Sequence, residues 1–145
     1  MKPIGYWLNR TDRALTRSMN DVLGEFGLTR IVWQVLNVLD ATPEATDAEV
    51  LSLLAANADI PTLTAAVDTV LAQGWATRCA PDRLVLTPGG RRCLADAGAR
   101  VEAFRERSVH GIPVEDYRTA VRVLERMTGN LEEATTADGA AVRSA

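Results

Sequence analysis

The chain has 145 residues, 16 Lys and Arg against 19 Asp and Glu, and a formal net charge of −3; 47% of it is hydrophobic and 24% charged. These proportions lie near the globular average and exclude a disordered or fibrous protein, and the length suits one domain burying roughly 68–70% of the surface its unfolded chain exposes. No charge-free apolar run approaches the ~18–20 residues that span a bilayer, and the amino terminus lacks the basic stretch, apolar run and small-residue cleavage site of a secretory signal, so a soluble, cytoplasmic protein is expected.

Pro3 suits a first helical turn, where its missing N–H would have no partner anyway. Ile4, Trp7, Leu8, Leu15, Met19, Val22, Leu23 and Phe26 then recur at three- and four-residue steps and predict a helix that Gly27 ends. Arg10, Arg13 and Arg17 form a second stripe on a solvated face. Thr29 is placed to cap a second helix, Arg30 to Asp40, whose Ile31, Val32, Trp33, Val35, Leu36, Val38 and Leu39 leave little polar face; it should be central and buried. Thr42-Pro43 breaks it. Thr46-Asp47-Ala48-Glu49 reads as a capping box opening a short helix with Val50, Leu51, Leu53 and Leu54.

Asp59-Ile60-Pro61 opens a fourth helix, with Leu63, Val67, Val70 and Leu71 inward and Gly74 as its stop. Trp75–Cys79 and Arg83–Thr87 read as short strands joined by Ala80-Pro81-Asp82. A long helix starts at Thr87-Pro88 and runs through Leu94, Ala97, Val101 and Phe104 to about Val109. Pro113 starts the last helix, where Tyr117, Ala120, Val121, Leu124, Met127 and Leu131 form an apolar seam. From Ala134 the chain turns small and polar, as disordered tails do.

This order predicts a mainly α (α+β) protein: a winged helix-turn-helix with long helices at both ends. One domain is expected over residues 1–133. Residues about 29–87 form its winged-helix part, residues about 3–26 and 88–133 its long flanking helices, and 134–145 a disordered tail. The flanking helices carry more apolar surface than the small winged core can cover, so a second copy of the chain should bury it.

Charge is distributed unevenly. From Asp40 to Trp75 there is no Lys or Arg, whereas Arg78, Arg83, Arg91, Arg92, Arg100, Arg105 and Arg107 crowd the following segment. An anionic partner should therefore be held after Trp75 rather than before it. Enzymatic chemistry has little support. Gly89-Gly90-Arg91 lacks the Lys-Ser/Thr of a phosphate-binding loop, His110 is the single histidine, and no Gly-x-Ser-x-Gly is present. Cys79 and Cys93 match no zinc or dithiol spacing and read as two reduced, partly buried thiols. No enzyme, metal or cofactor is expected.

Gly27-Leu28-Thr29 before the helix with Trp33 and Leu36, then Leu63, Val67, Val70 and Gly74, and Leu84-Val85-Leu86-Thr87-Pro88-Gly89-Gly90 resemble the MarR family of bacterial transcriptional regulators. The resemblance spans roughly residues 4–131. It implies a homodimer with interlocked terminal helices, a recognition helix (here about Pro61–Gln73) in the major groove of a roughly palindromic operator on double-stranded DNA, and a wing at the adjacent minor groove. Many relatives also release DNA when a small aromatic effector binds.

The residues expected to meet DNA are Thr62, Thr64, Thr69 and Gln73 of the recognition helix and Arg78 and Arg83 of the wing. The recognition helix departs from the family's usual pattern, because its only charged side chain is Asp68; threonine can donate to phosphate or meet a thymine methyl but releases no counterion. Tyr6, Trp7, Arg10 and Trp33, aromatic walls with a cation, are candidates for an effector pocket fitting an aromatic acid. The alternative reading is a winged-helix dimer with little DNA affinity, acting as a protein-interaction or ligand-sensing module.

Overall fold

Pro3 and the apolar steps after it wind into α1 (Ile4–Gly24) in the computed structural model, which describes residues 1–144. Two backbone bonds close the end of α1 around Gly27: its N–H donates to Gly24 and that of Leu28 to Leu23. Gly27 sits at φ +71° there, a left-handed conformation that glycine adopts without strain. The Thr29 hydroxyl accepts from Val32 N–H at 3.3 Å and starts α2 (Arg30–Ala41). At α3 (Asp47–Leu54) the capping box is complete: Glu49 N–H donates to the Thr46 hydroxyl and Thr46 N–H to the Glu49 carboxylate. Asp59 caps α4 (Ile60–Ala72) through Thr62 N–H at 2.9 Å.

Gly74 (φ +72°) ends α4, with its N–H on Leu71 and that of Trp75 on Val70. The chain then turns into a two-stranded antiparallel hairpin, β1 (Ala76–Ala80) and β2 (Arg83–Leu86), whose register shifts between Arg78 and Ala80. The expected hairpin gains a third backbone edge. Leu84 N–H donates to Ala45 and Asp47 N–H to Asp82, so the entry to α3 is stitched onto the wing.

α5 (Pro88–Ser108) follows, then α6 (Val114–Ser144). The chain divides into two compact units, Met1–Arg105 and the part from Glu106 on. That boundary lies within α5, where no composition shift marks it.

In the first unit the core is a single cluster around α2. Val35 and Leu36 are fully buried with Leu23 of α1, Val50 of α3, Leu63 and Val70 of α4, Leu84 of β2 and Val101 of α5. A fully buried side chain of this size contributes about 1.5–3 kcal/mol. The expectation of a central second helix therefore holds.

In the second unit none of α6's described residues is buried, and Val114, Tyr117, Val121, Met127 and Leu131 are exposed. Residues 134–144, expected as a disordered tail, continue α6 to Ser144. Ala134, Ala137, Ala140 and Ala141 favour helix strongly, and the Thr135 and Thr136 hydroxyls donate back to the carbonyls of Leu131 and Glu132. Ala145, the last residue of that expected tail, lies outside the described residues.

Candidate nucleic-acid interface

α4 is held from behind. Leu63, Ala66, Val67 and Val70 are buried against the core, which leaves Thr62, Thr64 and Gln73 exposed. At 3.6 residues per turn, Thr62, Thr69 and Gln73 share one flank of the helix and Thr64 lies on the other. Asp68 stands between the flanks, with Pro61, Ala65 and Ala72 along the outermost stripe. The Thr69 hydroxyl donates to the Ala65 carbonyl at 2.9 Å, so its proton is committed to its own helix and only oxygen lone pairs remain for a ligand.

The wing arginines are also engaged within the chain. Arg78 donates from both terminal nitrogens to Asp47, at 2.8 and 3.0 Å, and again to the Pro81 carbonyl at 3.2 Å. Paired donors on a planar fork are the arrangement in which arginine binds a carboxylate best. Arg83 donates to the Glu44 carbonyl at 3.2 Å, and Arg91 at the start of α5 donates to Leu86 at 3.2 Å. Arg100 reaches Glu25, the residue after α1, at 2.9 Å.

Tyr6, Trp7 and Arg10 form one exposed group on α1. The rings of Tyr6 and Trp7 meet edge to face at 5.2 Å, and Arg10 donates to the Tyr6 hydroxyl at 2.9 Å while lying over its ring. Trp33 is on α2, packed against the core, and its indole N–H is buried without a partner. Of the thiols, Cys79 is exposed and Cys93 half-buried, where burial, then Asp96, pushes its pKa up.

No family model matches the chain, and no curated protein matches it. Solved structures do. The transcriptional regulator PA3341 is 28% identical over 90% of this chain and 99% of its own, at a TM-score of 0.70. A MarR-family transcriptional regulator from Rhodococcus sp. RHA1 is 26% identical, over 86% and 91%, at 0.70. The Mycobacterium tuberculosis MarR family protein Rv2887, solved in complex with DNA, is 25% identical, over 88% and 98%, at 0.71. The chain shares the winged-helix fold of these MarR-family transcriptional regulators.

Sequence reasoning did not foresee the role of Asp47 in this fold. Its pairing with Arg78 spans 31 positions, and its place in a capping box already gave it a local explanation. The pair has a consequence for acid stability. Hydrogen bonding from Arg78, aided by that residue's charge and opposed by slight burial, holds the Asp47 carboxyl below its ordinary 3.8. Hydrogen bonds from Thr62 likewise lower Asp59.

A carboxyl whose folded pKa is depressed adds stability in full above the unfolded value, and loses it as pH falls through the folded one. Acid unfolding followed by circular dichroism between about pH 5 and pH 2 should therefore be shallower for Asp47→Asn than for the parent chain. Equal slopes would mean that the ion pair does not persist in solution.

Proposed function

We propose that this regulator works as a homodimer on double-stranded DNA, with α4 of each subunit in the major groove of a roughly palindromic operator and the wing beside the minor groove. One observation carries the reading: α4 is anchored on one face by the core while Thr62, Thr64 and Gln73 stand exposed. A fixed helix with hydrogen-bonding side chains on its free face is what base-edge reading requires. The relative solved with DNA supports the same reading.

Support for a second copy comes from apolar surface on each terminal helix. Ile4 is 47% exposed, Trp7 53% and Leu8 41% on α1, and Leu131 is 67% exposed on α6. Rows of large apolar side chains like these mark association faces rather than solvated ones. The exposed Tyr6, Trp7 and Arg10 group on α1, aromatic rings beside a cation, favours a small aromatic acid as the effector class.

Sedimentation should give a species of two subunits. A binding isotherm against the DNA upstream of its own coding sequence, repeated at several salt concentrations, should show preference over random duplex. A lone subunit, or no preference at low salt, rejects the proposal.

A second reading, the winged-helix dimer with little DNA affinity that serves as a protein-interaction or ligand-sensing module, has one observation in its favour. Asp47 occupies Arg78, and α4 supplies no cation of its own.

A further inference from the structure

We infer that a backbone phosphate of the bound duplex seats in a recess between α1, α2 and the start of α4, with Arg30 as its cation. The inference rests on the DNA-binding reading above and locates the positive charge that α4 lacks.

The recess has a volume of about 440 Å³, and its lining includes Asn20 of α1, Arg30 and Gln34 of α2, Asn57 before α4 and Thr62 within it. No Asp or Glu lines it, although the chain as a whole is acidic. Arg30 is exposed, and among the described residues no ion pair or side-chain hydrogen bond is found for it. Arg78, Arg83, Arg91 and Arg100 each hold a partner within the chain. Arg30 is thus a cation beside α4 that can meet an anion without first leaving a partner.

The polar groups around it suit a phosphodiester. The Asn57 amide donates to the Gln34 amide oxygen at 3.2 Å, which orients the Gln34 side chain and leaves its own NH₂ available. A phosphodiester accepts hydrogen bonds from guanidinium and amide donors, with the charged bond the stronger. Nearby acid does not fill the recess. The Asp59 carboxylate accepts from Thr62 N–H, and Asp12 and Asp21 line a neighbouring hollow together with Arg13 and Arg17.

Thr62 joins the recess to α4, because it lines the one and shares a flank with Thr69 and Gln73 on the other. A duplex read by that flank brings its sugar-phosphate strand over Arg30. Sequence spacing hides this neighbourhood, since Arg30 and Thr62 are on different helices.

The test uses the full chain and two labelled duplexes, one from the DNA upstream of its coding sequence and one random. Arg30→Ala should weaken both by a similar factor, about five- to tenfold near 100 mM salt, and lower the slope of log K against log salt by about 0.9 per bound subunit. Arg30→Lys should restore most of the slope, and thermal melting should be unchanged in both variants. If the parent binds but Arg30→Ala leaves the slope and affinity unaltered, the inference fails and the DNA-binding reading stands. A loss confined to the upstream duplex would make Arg30 a base reader and also overturn it. Inorganic phosphate that displaces duplex from the parent, beyond the effect of chloride at equal ionic strength, would assign the recess to a free anion instead. A parent that binds neither duplex overturns both proposals.

Discussion

Gly90→Ala should destabilise the protein by about 3 kcal/mol or more, lowering its melting temperature by roughly 10 °C. Gly90 lies in the first turn of α5 against the backbone of Trp75. A Cβ added there would overlap the Trp75 carbonyl, standing 2.8 Å from its carbon and 3.1 Å from its Cα. Those atoms cannot give way cheaply. The Trp75 carbonyl accepts from Thr87 N–H at 3.0 Å, and the Thr87 hydroxyl bonds the Gly74 carbonyl on one side and accepts Gly90 N–H on the other.

Relief of the overlap would therefore separate α5 from the start of the wing and the end of α4. The neighbouring glycine is the control. A Cβ at Gly89 would meet only the Thr87 hydroxyl, at 3.7 Å, an ordinary contact. Gly89→Ala should leave stability unchanged or raise it by up to about 1 kcal/mol, because alanine favours helix and restricts the unfolded chain. Calorimetry on the pair decides the matter; similar melting temperatures would show that the close approach is absent.

The Gly90 contact also shows which parts of the fold are legible in the sequence. Short-range devices are. Thr29, Thr46 with Glu49, and Asp59 each satisfy an N–H three residues away; the capping box is legible from its spacing, and Thr29 and Asp59 from their place at the start of a helical run. Gly27 and Gly74 end their helices for an equally local reason, their left-handed backbone.

Features set by distant backbone are harder to read. The first strand starts at Ala76 rather than Trp75, since the Trp75 N–H is taken by Val70 and its carbonyl by Thr87. Thr64 and Thr69 look equivalent as helix-surface threonines, but they lie on different sides of α4 and Thr69 has its proton committed. Charge along the chain shows that the arginines cluster after Trp75, but it could not show that Arg78 faces Asp47, because a pairing across 31 positions leaves no periodic trace.

Asp47→Asn is expected to strengthen DNA binding by about tenfold at low salt and to steepen the salt dependence by about 0.9 per bound subunit. In the free protein the carboxylate holds the Arg78 guanidinium on two parallel bonds at the entry to α3, so a phosphate approaching the wing meets a neutralised pair rather than a cation. The amide keeps the shape of Asp47 and part of its hydrogen bonding but removes the charge, leaving Arg78 to the duplex.

Arg78→Ala should act in the opposite sense, since it leaves Asp47 as a bare negative charge facing the backbone. Adding Asp47→Asn to Arg78→Ala should recover the part due to that charge, and the coupling between the two changes measures how far the pair acts as a unit. Arg78→Ala with Arg83→Ala should weaken binding further and flatten its salt dependence. The second reading predicts none of this: a module without DNA affinity would respond to neither change, and its partner would be sought among basic protein surfaces. If the parent binds duplex while Asp47→Asn alters neither affinity nor slope, Arg78 lies away from the phosphate path.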